Sequence, residues 1–67
     1  MTASLLHRYL VDRAPGKTAF GTTQLVIVVL TGEDGIDRAF AMSKADAAII
    51  AQKLMAAAAE AQGITLA

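Results

Sequence analysis

The sequence predicts an α+β domain, a three-stranded antiparallel sheet followed by one long C-terminal helix packed on one face, in the order βββα. Three observations carry that expectation. Residues 22–31 are rich in β-branched side chains and end at Gly32-Glu33-Asp34-Gly35, a run with strong turn chemistry. Residues 36–42 then alternate, with Ile36, Arg38, Phe40 and Met42 on one face and Asp37, Ala39 and Ala41 on the other. From Ser43 the spacing of apolar residues becomes that of a helix and continues to Gly63.

The first segment admits two readings. Residues 5–11 form either a strand with Leu5, His7, Tyr9 and Val11 on one face, or a short helix using Leu6, Tyr9, Leu10 and Arg13. The strand is preferred, because Tyr9, Leu10 and Val11 suit a pleated surface and Pro15-Gly16 supplies a stop. The stretch 22–31 and the segment 36–42 then make a hairpin that feeds directly into the helix.

The helix is expected over residues 44–62. Ser43 stands at the N-cap position with Asp46 three residues on, an approximate capping box that places an acid near the positive helix end. Gly63 is suited to the C-terminal cap. At about 100° per residue, Ala47, Ile50, Leu54, Ala57, Ala58 and Ala61 share one side, while Lys53 and Glu60 fall together elsewhere. The opposite face carries Ala45, Ala48, Gln52, Ala56 and Ala59, small residues where a solvated helix more often has Lys and Glu. Alanine's helix propensity accounts for this, and so does the close approach of a second helix.

Composition narrows the function classes. A single domain of 67 residues has a thin core, since a chain near this size buries only about 60% of its unfolded surface. With no Cys there are no disulfides to compensate, and the lone His7 makes a structural zinc site implausible. Oligomerisation and packing remain. The formal net charge of zero argues against a dominant nucleic-acid or anionic-membrane partner, because both attractions scale with clustered Lys and Arg. No run approaches the roughly 20 apolar residues that span a bilayer, and Met1-Thr2-Ala3-Ser4 lacks the basic stretch of a secretory signal. A cytoplasmic location is the expectation.

The motifs that could carry chemistry are fragmentary. Gly16-Lys17-Thr18 has the ending of a phosphate-binding loop, but Val11 stands where the leading Gly is required and a strand follows where a helix should, so a loop between strands is expected there. Glu33, Asp34 and Asp37 lack the spacing of a calcium loop and read as a solvated turn. His7 has no nucleophile or orienting carboxylate at recognisable spacing, and Asp12 lies too far along the strand. Arg8, Arg13 and Lys17, with the amino terminus, make the first third basic, yet no aromatic stacking groups interleave with them. No catalytic, cofactor-binding or metal residue is assigned.

Two comparisons with families follow from these residues. Small tautomerases of about this length act through an N-terminal proline, where this chain has Thr2. The passage from Phe40 through Met42-Ser43-Lys44-Ala45-Asp46-Ala47 into an Ala-rich helix resembles small bacterial and phage proteins of uncharacterised role, over about the last 30 residues. That resemblance implies no activity.

The second strand carries the main functional expectation. Leu25, Ile27 and Val29 on one face and Val26, Val28 and Leu30 on the other are all apolar, the pattern of a strand buried on both sides. One helix covers one face. The other calls for a second cover, most simply a second copy in a twofold dimer. The expected function is therefore a non-enzymatic protein-interaction module, a homodimer acting as adaptor, small inhibitor or subunit of an assembly. Its candidate interface comprises Leu25 to Leu30 on either face together with Ala48, Gln52, Ala56 and Ala59. The alternative is a nucleic-acid-associated regulator of antitoxin or transcription-factor type, using Arg8, Arg13 and Lys17 doubled by dimerisation.

Overall fold

Residues 3–63 are described in a computed structural model of the chain. Thr2 and the amino terminus, which entered the tautomerase comparison and the count of basic groups, lie outside them. Strands β1 (Leu6–Thr18), β2 (Gly21–Gly32) and β3 (Asp37–Met42) precede helix α1 (Lys44–Ala61). The sheet is antiparallel with β2 in the centre, so the βββα order and the α+β class are observed.

The first segment is a strand, and a longer one than expected. It runs through Pro15-Gly16 to Thr18 instead of stopping there, so Gly16-Lys17-Thr18 is strand and not loop. Two local facts permit this. β1 lies at the sheet edge, where a proline costs no ladder bond on its solvent side. Gly16 sits under the Leu25 side chain, in space that a Cβ would have to share with Leu25 Cδ1. The chain turns at Ala19-Phe20 instead, closed by Gly21 at φ 108°, in the left-handed region that favours glycine. Thr18 holds the turn, its Oγ1 donating to the Gly21 carbonyl at 3.0 Å and accepting from the Phe20 amide at 3.1 Å.

A register shift between Leu6 and Arg8 makes His7 the extra residue of a bulge. This overturns the expected face of Leu5, His7, Tyr9 and Val11. Beyond the bulge it is Leu6 that joins Tyr9 and Val11 on one side. In β3 the expected alternation holds, with Phe40 opposite Val28 and Ala39 opposite Val29.

The helix starts and stops as its caps dictate. Ser43 is extended and its Oγ accepts from the Asp46 amide at 3.1 Å, which satisfies one of the free amides of the first turn. At the other end the helix stops one residue earlier than expected: Gln62 is the cap, its amide donating to the Ala58 carbonyl at 3.1 Å, and Gly63 follows at φ 80°, donating to the Glu60 carbonyl at 3.0 Å.

What the fold lacks is a closed core. No apolar side chain is buried among the described residues, and the only buried one, Thr31 at 3% exposure, is polar. The helix does not seal the face it lies beside, and none of its residues is buried. Two causes act together. Only Ser43 separates β3 from α1, so the helix leaves the sheet before it can fold flat against it. Its sheet-facing side is mostly alanine, which brings little apolar area to the contact.

Candidate interaction surface

Register assigns the faces of the sheet. On one side lie the rows Tyr9–Leu30–Arg38, Val11–Val28–Phe40 and Arg13–Val26–Met42. On the other lie Arg8–Thr31–Asp37, Leu10–Val29–Ala39 and Asp12–Ile27–Ala41, with Ala14 opposite Leu25 beyond them. The helix stands over the first side. Between them opens a cleft of about 760 Å³, floored by the Val11–Val28–Phe40 row and its neighbours and walled by Ala47, Ala48, Ile50, Ala51 and Leu54.

The chemistry of this cleft is almost wholly hydrocarbon. Small-molecule pockets of similar size carry a few convergent polar groups that fix a ligand's orientation. Here the single polar tip among the lining side chains is the Tyr9 hydroxyl. The apolar side chains around it are open to solvent, with Tyr9 71%, Val11 64%, Phe40 53% and Leu54 65% exposed. Exposed apolar patches of this kind mark contact sites for proteins, membranes or ligands.

The polar groups gather at the β2–β3 turn end of the sheet, with Thr31, Asp37 and Arg8 on its second face and Arg38 on the cleft side. Thr31 Oγ1 donates to Asp37 Oδ1 at 2.5 Å, and Arg8 lies 3.6 Å from the same oxygen. Asp34 accepts from the Ile36 amide at 2.9 Å and from Arg38 at 3.3 Å. The Ile36 amide first, with the Arg38 guanidinium, holds the Asp34 carboxyl below its ordinary range. Asp34 and Asp37 thus brace the β2–β3 turn, and among the described residues no three of His, Cys, Asp and Glu converge as metal ligands.

The structure separates the basic residues of the first third. Arg13 and Lys17 share the cleft side of β1, while Arg8 lies on the opposite side, engaged with Asp37. They form no single stripe along which a phosphate backbone could run. Among the helix positions expected at an interface, Ala48 lines the cleft beside Ala47, Ile50 and Leu54 and so does not lie on a face opposite them, while Gln52, Ala56 and Ala59 do not line it; Val26, Val28 and Leu30 line it from the sheet. Leu25, Ile27 and Val29 lie on the opposite face and are half-buried. The sequence reading missed Phe20, fully exposed at the tip of the β1–β2 hairpin, because it took that stretch for a longer loop.

No protein-family model matches the chain, and no curated protein or solved structure matches it. No helix is long and apolar enough to cross a membrane among the described residues.

Proposed function

We propose that the chain is a non-enzymatic interaction module that works as a homodimer, as an adaptor, a small inhibitor or a subunit of a larger assembly. One observation carries the dimer. The chain exposes 5811 Å², whereas a folded monomer of its 6.9 kDa mass is expected to expose about 4,000 Å². The excess of roughly 1,800 Å² per chain, doubled across a twofold, lies within the range of about 2,000–5,000 Å² that obligate homodimers bury. The radius of gyration agrees, at 14.6 Å against about 11 Å for a compact chain of this length.

Exposed apolar side chains line the cleft, among them Tyr9, Val11, Phe40 and Leu54, and a second copy of the same surface is a matching cover. Sedimentation equilibrium at low micromolar concentration tests this. Twice the chain mass is expected, with a melting temperature that rises with concentration, because a chain without its own core gains stability by mass action. A folded monomer would remove the proposal.

A further inference from the structure

We infer that the two copies cross the ends of their helices, so that Met55 and Ala58 of each pack on the partner's Tyr9, Val11 and Phe40. This rests on the homodimer proposed above and specifies its geometry.

The helix is longer than the cleft it walls. At about 1.5 Å per residue, its 18 residues span about 27 Å, yet its contribution to the cleft runs only from Ala47 to Leu54. At about 100° per residue, Met55 and Ala58 continue the same face. Met55 is 71% exposed, an apolar side chain with no sheet of its own to cover.

The sheet shows the converse deficit. The wall above it is chiefly alanine, and the side chains towards its edges, Tyr9, Val11 and Phe40, stay more than half exposed. Neither deficit can be met within one chain, because the single residue Ser43 tethers α1 to the end of β3 and fixes where the helix begins. A twofold axis beside the cleft supplies each with the other. The alanines Ala47, Ala48 and Ala51 leave room for the incoming helix, since small side chains let two helix axes approach to about 8 Å.

The absence of cysteine makes a direct test available. Tyr9→Cys and Met55→Cys, both at well-exposed positions, are prepared separately, mixed, allowed to exchange and oxidised. The expected product is a covalent heterodimer of one chain of each kind, whereas Asp12→Cys, on the opposite face, mixed with Met55→Cys gives none. In the unmodified protein, half isotope-labelled, filtered nuclear Overhauser effects are expected between the Met55 methyl of one chain and the Tyr9 ring of the other. A dimer that shows neither the cross-link nor these effects overturns the crossing and leaves the homodimer standing. A monomer overturns both.

Discussion

Val28→Lys is the substitution most damaging to the assembly proposed. Val28 lies at the middle of the central strand, flanked by Val11 and Phe40, on the floor of the cleft. Fully burying a valine is worth about 1.5–3 kcal/mol, and the lower figure applies because Val28 is already half-covered in one chain. A twofold dimer loses it twice, or about 3 kcal/mol, which at about 1.4 kcal/mol per tenfold weakens association at least a hundredfold. The unpaired ammonium under the partner's helix adds a further penalty of several kcal/mol. Ile27→Lys is the matched control. It places the same side chain one residue away, on the opposite face, beside Asp12. Sedimentation with far-ultraviolet circular dichroism should show Val28→Lys dissociated and largely unfolded at concentrations where Ile27→Lys remains folded and dimeric. The reasoning is refuted if Val28→Lys keeps both mass and melting temperature, or if Ile27→Lys alone dissociates.

Three further outcomes follow from local geometry. Ser43→Ala removes the acceptor of the Asp46 amide and should cost about 1 kcal/mol, read as a lowered midpoint in urea at fixed protein concentration. Gly21→Ala meets no atom within 4 Å, so its cost is conformational alone; about 1–2 kcal/mol is expected for forcing a side chain into that backbone region, measured in the same way. Asp34 has its carboxyl held low by the Ile36 amide and Arg38, so its contribution is fully present at neutral pH and is lost as pH falls through the acid range below about 4. Asp34→Asn should therefore destabilise the protein at pH 7 and leave it little changed at pH 3, in paired denaturation curves.

The elements were legible in the sequence where local chemistry decides them. The Gly32 to Gly35 turn, the alternation of β3 and the Ser43 cap each rest on residues adjacent in the chain, and each is found in place. Pro15-Gly16 misled because a stop signal acts only where the proline's missing amide or its ring would disturb a neighbour. On an edge strand neither does. The bulge at His7 was illegible for a related reason, since it is set by pairing with Gly32 and Thr31 across the sheet, and it moved Leu6 onto the cleft face. The two apolar faces of β2 led to the expectation of one face covered by the helix and one left open, whereas both stay half-exposed. They did not signal that the chain's own helix would leave its face open too, because that depends on how a one-residue link directs α1.

That link bears on how the chain can fold at all. A domain normally meets the entropy of ordering its chain with apolar burial inside one molecule. Here the ladders between strands and the helix's own hydrogen bonds form locally, while the cleft between them stays open. An isolated helix of 18 residues is only a few residues longer than the length of about 12–15 below which even Ala-rich helices are marginal in water, and a three-stranded sheet needs an apolar face or a helix packed on it to be stable alone. Each therefore lacks the term the other could supply, and the geometry at Ser43 keeps them from supplying it in full within one chain. A second copy adds burial without adding any new kind of surface. In the homodimer proposed, folding and association would be one transition, and a substitution on the cleft face would register in both at once.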